Sequence, residues 1–266
     1  RELELAGHRF RTESDTEVIL EAYRAWGAAS VERLRGMFAY AIWDSAERVL
    51  FLARDRVGIK PLYYSWDGST CRFGSELKAL LADPSQRVSL DPLALDEYLT
   101  YLYVPAPRSI YREIRKLPAG HTLTVSERGT ELREYWDLSF AAPRAGSPDE
   151  HAASIREALR DAVSCHLMSE VPLGAFLSGG IDSSAVVGTM ASLLDRPVQT
   201  ASIGFREDAY DELPYARRVA RAFGADAHER VVDARAADIL DRLTWHYDEP
   251  FADSSMVPTY YVSQVA

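Results

Sequence analysis

The run Leu177-Ser178-Gly179-Gly180-Ile181-Asp182-Ser183-Ser184 concentrates two glycines, three serines and a carboxylate in eight residues. Adjacent glycines let a backbone approach an anion closely, hydroxyls add donors, and a helix starting just after them would aim its first N–H groups at a phosphate. Asp182 would repel that phosphate unless a cation lay between them, and Mg²⁺ is the cation that suits the pairing. A plainer reading makes Gly179-Gly180 a tight turn and Asp182 a helix cap. Residue types alone leave both open. They do exclude rival motifs: the run is neither a G-x-x-x-x-G-K-S/T loop nor a G-x-G-x-x-G fingerprint, and a nucleophile elbow around Ser178 would need glycine where Phe176 stands.

The flanking sequence has an α/β rhythm that would place this run at a ligand-binding edge. Apolar Leu173 to Leu177 reads as a strand, Ser183 to Leu194 as a helix, and Val198 to Phe205 as a second strand. A helix opened by Asp211 and Glu212 stops at Gly224, and His228 to Val232 forms a third strand. Strand, helix, strand, helix, strand predicts a parallel, doubly wound sheet, with ligands at the carboxyl ends of its strands. An amphipathic helix from His151 to Met168 precedes it.

The first half has a different period. Asp15 to Trp26 is helical behind Ser14 and Asp15, either of which suits a cap. Met37 to Trp43, Val49 to Ala53, Pro61 to Trp66 and Cys71 to Gly74 are short apolar runs separated by turn signals, expected to form one antiparallel meander. Asp83 to Leu102 reads as helical, and Pro118-Ala119-Gly120 as a turn into a further strand. Trp26, Trp43 and Trp66 are expected to fill this core, and Arg54-Asp55-Arg56 to pair internally at the sheet's edge. The small-residue stretch from Ala141 to Pro148 is the best linker. The resulting division is residues 1–127, a connecting segment 128–148, and a second domain 149–266.

Bulk properties fit two domains: 266 residues, 47% of them hydrophobic, supply material for two cores. A net charge of −10 without a Lys/Arg cluster argues against nucleic-acid binding. Arg217, Arg218 and Arg221 read as a solvated helix face. No apolar run is long enough to cross a bilayer and the N-terminus lacks a signal-peptide pattern, so a soluble protein without a membrane partner is expected, and the sparse cysteines fit a cytoplasmic location. Cys71 and Cys165 lie far apart outside any C-x-x-C spacing, so neither a disulfide framework nor a thiolate zinc site is suggested, and His166, His228 and His246 lack metal-ligand spacing.

Ser178 to Ser184 resembles the S-G-G-x-D-S pyrophosphate-binding motif of the ATP pyrophosphatases, and its surroundings resemble the glutamine-hydrolysing asparagine synthetases. His166 to Gly174 upstream, and Tyr210-Asp211-Glu212 with Ala216 and His228 downstream, belong to that likeness. In the first half, Ser14 to Ile19, Gly36 to Ala39, Arg54 to Tyr64 and Ser75 to Ala79 are similar to the class II glutaminase domain of the same enzymes. The resemblance implies an α+β glutaminase-like domain of the N-terminal nucleophile type followed by an α/β domain. It also implies ATP and Mg²⁺ as cofactors, with glutamine, aspartate and ATP as small-molecule substrates, and it is compatible with a homodimer. By it, Ser178, Gly179, Gly180, Asp182, Ser183 and Ser184 hold the ATP phosphates, Asp182 through Mg²⁺, while the backbones of Leu177 and Ile203 meet the adenosine. Asp15 matches the carboxylate that pairs with the α-amino group of glutamine. In the complete enzyme, ATP would activate the aspartate side chain as an acyl-adenylate, which ammonia from glutamine then attacks.

Two departures qualify the match. The family's nucleophile is an N-terminal cysteine, whereas this chain begins with Arg1, so no catalytic nucleophile is assigned here and the chain is expected to be truncated at its start. Asp248 to Ser255 resembles the stretch before a second glycine- and acid-rich loop, so truncation is expected at the other end too. The rival readings are a β-lactam synthetase or other amidotransferase on this scaffold, and a non-catalytic homologue acting as an interaction or regulatory protein.

Overall fold

The computed structural model describes residues 2–140, 145–206, 211–233 and 236–266, and the chain divides into two units. The first comprises Arg1–Ala141 with Tyr247–Ala252. It opens with α1 (Glu2–Leu5) and α2 (Asp15–Trp26). Ser14 is the N-cap of α2, its hydroxyl accepting from the Thr16 amide at 3.2 Å. After a 3-10 turn over Gly27–Arg33 come β1 (Ala39–Asp44), β2 (Val49–Arg54), β3 (Tyr63–Trp66), β4 (Cys71–Gly74), α3 (Leu77–Leu81), α4 (Pro92–Tyr101), β5 (Arg115–Lys116), β6 (His121–Ser126) and β7 (Gly129–Glu134).

The strands expected as one meander fall instead into two sheets, β1-β2-β6-β7 and β4-β3-β5. A charged corner separates them. Asp55, fully buried, accepts from the amides of Ile59 and Lys60, each at 2.9 Å. The Arg54 guanidinium donates to the carbonyls of Lys60, Leu117 and Gly58 at 2.7 to 2.8 Å. These bonds turn the chain out of β2, so β2 pairs with β6 while β3 starts another sheet. Arg54, Asp55 and Arg56 therefore bind backbone groups rather than one another; Arg56 donates to the Glu32 carbonyl.

Three further readings change. Trp43 is 60% exposed, because alternation along β1 turns Ile42 inward and Trp43 outward. The helix expected from Asp83 begins only at Pro92, where Asp91 caps the Leu93 amide and proline occupies the first turn. Strand β7 lies in the stretch read as connecting segment and pairs with β6 along its whole length.

The second unit comprises Ala142–His246 with Asp253–Ala266. Its elements are α5 (Pro148–His166), β8 (Gly174–Phe176), α6 (Ile181–Leu193), β9 (Gln199–Phe205), α7 (Leu213–Phe223), β10 (Asp226–Val232), α8 (Ala236–Tyr247) and α9 (Met256–Val265). A capping box between Ser147 and Glu150 starts α5 three residues earlier than apolar periodicity alone would place it. The sheet is parallel, in the order β8-β9-β10. Its core joins Val163 of α5, Val187 and Met190 of α6, and Ala216 and Ala220 of α7 to Leu177 and Val198. The chain is thus an α+β unit followed by an α/β unit with a parallel sheet. Among the described residues no helix is long and apolar enough to cross a membrane. Part of the expected linker, residues 141–144, lies outside the described residues, as does Tyr210.

Candidate functional site

Leu177 ends the first strand of the parallel sheet. Its amide donates to Ala201 O at 3.0 Å, one step beyond the last residue of β8, and its side chain is buried in the core. The chain then turns through Ser178 and Gly179 into α6. Gly179 has φ +82°, and a Cβ there would stand 2.5 Å from the carbonyl carbon of Tyr215 and 2.6 Å from the Ala216 nitrogen. Only glycine fits, because the turn needs left-handed backbone and the first turn of α7 presses directly on it. Gly204, on β9, is closed in similarly by Leu213 and by the Asp211 carboxylate.

Gly180 is the N-cap of α6, with φ −68° and ψ 166°, and no side chain bonds to the exposed amides of the first turn. Asp182 therefore cannot be the cap; it sits at the second helical position, and it is exposed. The reading of Asp182 as a helix cap is removed by this geometry. What remains is a helix N-terminus whose amides are left to solvent or to an external anion, with a carboxylate beside them. The serines are arranged around the same turn. Ser178 Oγ lies 3.0 Å from Ser183 Oγ and accepts from the Gly180 amide at 3.2 Å. Ser184 Oγ is buried without a hydrogen-bond partner.

Ile203 lies two residues beyond Ala201 on β9, where β8 has ended. Because backbone direction alternates along a strand, its N–H and C=O point to the same side as those of Ala201, beside the Leu177 turn. Leu177, Ser178, Gly179, Gly180, Asp182, Ser183, Ser184 and Ile203 are thus brought together at the carboxyl edge of the sheet. Among the described residues no group of three or more His, Cys, Asp or Glu side chains could hold a metal. Asp182 can hold a cation only together with ligands from a bound anion.

Asp15 lies in the other unit, at the first position of α2, exposed and in only a 3.5 Å contact with the Thr16 hydroxyl. Since Ser14 does the capping, the Asp15 carboxylate is left open to solvent and to ligands.

The sequence model of the glutamine amidotransferase domain matches residues 1–136, more than half of the chain. The chain belongs to the glutamine amidotransferase family. Residues 154–266 match the model of asparagine synthase, so the amidotransferase half is followed by a synthase half in the order the sequence implied. A glutamine-hydrolysing asparagine synthetase 1 of Bacillus subtilis is 36% identical over 267 residues, which is 100% of this chain and 42% of that protein. A putative glutamine-hydrolysing asparagine synthetase 2 of Methanocaldococcus jannaschii is 40% identical over 261 residues, 96% of this chain and 50% of that protein. An amidase of Penicillium rubens is 31% identical over 260 residues, 90% of this chain and 38% of that protein. The chain spans about half or less of the length of these relatives.

Within the amidotransferase half, Cys71 is partly buried on β4, and burial pushes its thiol up to about 11. That keeps it protonated near neutral pH and a poor nucleophile. Cys165 is exposed on α5 of the synthase half. Of two groups important to the geometry, Ser202 escaped the sequence reading and Asp55 was assigned the wrong partners. Ser202, buried on β9, donates to Leu177 O at 2.6 Å. Asp55 organises the corner between the two amidotransferase sheets. The signal for Asp55 was present, since an acid between two arginines at the end of an apolar run is an unusual place for a charge, but its partners are backbone amides that no side-chain pattern announces.

Proposed function

We propose that the turn Ser178 to Ser184 binds the phosphates of MgATP, and that the protein uses them for glutamine-dependent formation of an amide on an aspartate side chain. The observation that carries the reading is the start of α6: a glycine N-cap with no side chain on the first-turn amides, beside an exposed carboxylate and a buried hydroxyl without a partner. Those features fit a polyphosphate with its cation. MgATP supplies activation of the acceptor carboxylate by adenylation, with pyrophosphate leaving. The chain's own groups then have separable roles. Gly179 and Gly180 keep the backbone close to the anion, the first-turn amides and the serine hydroxyls donate to it, and Asp182 retains the cation. Leu177, just past the end of β8, and Ile203, on β9 beyond the end of β8, offer the backbone against which the adenosine rests. The first-turn amides, the serine hydroxyls and the cation held by Asp182 would favour charge on the departing pyrophosphate, and none of the chain's groups forms a covalent bond, so the catalysis is electrostatic. In the other half, the Asp15 carboxylate receives the α-amino group of glutamine, whose amide nitrogen becomes the ammonia used for synthesis. The asparagine synthase match supports aspartate as acceptor.

The test is Asp182→Asn in the protein that carries this chain. Asparagine keeps the size and the hydrogen bonding but removes the charge that holds Mg²⁺. ATP–pyrophosphate exchange and ammonia-dependent synthesis should fall together by roughly 10²-fold, the scale of losing one preorganised electrostatic contact. Thermal stability should hardly move, because Asp182 caps nothing. Near-wild-type exchange across a Mg²⁺ titration would take the carboxylate out of the mechanism.

A further inference from the structure

We propose that Ser202 is a positioning residue for the phosphate-binding turn, acting through the Leu177–Ser178 peptide. This rests on the reading of Ser178 to Ser184 as a MgATP site. The β8–β9 ladder ends at Phe176 opposite Ala201, and the Leu177 amide adds one more bond to Ala201 O. The next backbone group, Leu177 O, has no strand partner on β9. Ser202 supplies the missing partner with its side chain: its hydroxyl donates to Leu177 O at 2.6 Å, and the residue is only 4% exposed.

The consequence follows from the planarity of the peptide unit. In a trans peptide the C=O of one residue and the N–H of the next point in opposite directions in one plane. Holding Leu177 O toward β9 therefore points the Ser178 N–H the opposite way within that plane, away from β9. That N–H is the first amide of the turn. Ser178 in turn carries the hydroxyl that accepts from Gly180 N and meets Ser183 Oγ, so the same peptide also sets where that pair stands. A buried hydroxyl thus fixes the direction of the turn's donors without touching the ligand. Precision of this kind matters most for donors aimed at charge that develops during reaction, because a rotated peptide can still bind the ground state.

The experiment compares wild-type protein with Ser202→Ala, Ser202→Thr, Ser202→Cys and Asp182→Asn, following ATP–pyrophosphate exchange over a range of MgATP concentrations, with thermal unfolding alongside. For Ser202→Ala, kcat of exchange should fall about tenfold, the effect of one net hydrogen bond, while KM for MgATP changes less than about twofold. Thr keeps the hydroxyl and should recover most of the loss. Cys keeps the volume with a weaker donor and should fall between Thr and Ala, and it carries the comparison if Ser202→Ala does not fold. A folded Ser202→Ala or Ser202→Cys protein with wild-type kcat overturns the proposal, as does a loss confined to thermal stability or one that Thr does not relieve. If wild-type protein shows no MgATP-dependent exchange, or Asp182→Asn leaves it intact, the phosphate-site reading itself fails, an outcome distinct from failure of the Ser202 role.

Discussion

Replacing Gly179 by alanine should disrupt the turn, and the same change at Gly180 should not. At Gly179 two penalties combine. An alanine held at φ +82° pays about 1–2 kcal/mol for left-handed backbone. Its Cβ would also stand 2.5 Å from backbone and side-chain atoms of Tyr215, which belong to a packed helix and cannot swing aside, and overpacking of that kind costs about 1–3 kcal/mol. The sum is about 3 kcal/mol. At Gly180 the backbone is ordinary, and a Cβ would meet only the Ser178 hydroxyl at 3.3 Å, a rotatable group. Alanine is a somewhat poorer N-cap than glycine but restricts the unfolded chain by about 0.4–1 kcal/mol, so the net change should be near zero. Hydrogen–deuterium exchange reads this locally without assuming that a multidomain protein unfolds in one step. In Gly179→Ala the amides of the turn and the start of α7 should open about 100-fold more readily, since each 1.4 kcal/mol is a factor of ten. In Gly180→Ala they should match wild type. Equal protection in the two variants would refute the claim that α7 closes directly on Gly179.

Two other outcomes follow from the structure. Asp15→Ala should raise KM for glutamine at least several-fold while ammonia-driven synthesis stays nearly unchanged, measured as product formed with each nitrogen source; equal loss of both would mean that the exposed carboxylate serves the fold. Lys116→Met should destabilise the first unit by about 3 kcal/mol, because Lys116 is the cation paired with Glu249, and removing one partner of a buried pair strands the other charge. Burial already pushes the Glu249 carboxyl above the usual range, with Lys116 opposing the shift. Without the lysine it rises further. A carboxyl raised in the folded state contributes stability below its unfolded value and loses it as pH rises through the folded value, so the deficit of Lys116→Met should be largest at neutral pH and shrink toward pH 4. Denaturant unfolding at a series of pH values checks this, and a pH-independent deficit would show that lost packing, not the stranded charge, is responsible.

The second unit was legible because its elements announce themselves locally. Apolar runs, a helix ended by Gly224 and the Gly179-Gly180 turn each fix one element, and parallel strands joined by helices have few ways to assemble. The first unit resisted because short antiparallel strands do not state their partners. Val49 to Arg54 reads equally well beside Pro61 to Trp66 or beside His121 to Ser126, and the choice is made by Asp55 and Arg54 binding backbone groups from residues 58 to 60 and from Leu117. The same distinction runs through the candidate site. Gly179, Gly180 and Asp182 are visible in sequence because their chemistry is uncommon and adjacent. The prohibition on any side chain at Gly179 comes from Tyr215 and Ala216, more than thirty residues away, and Ser202 is one more hydroxyl in an apolar strand until its bond to Leu177 O is seen. A sequence therefore displays groups that must meet a ligand more readily than groups that aim them. Ser202 can be tested separately from Asp182 for that reason: one is expected to govern whether the cation and phosphates bind, the other how well the turn is directed once they have.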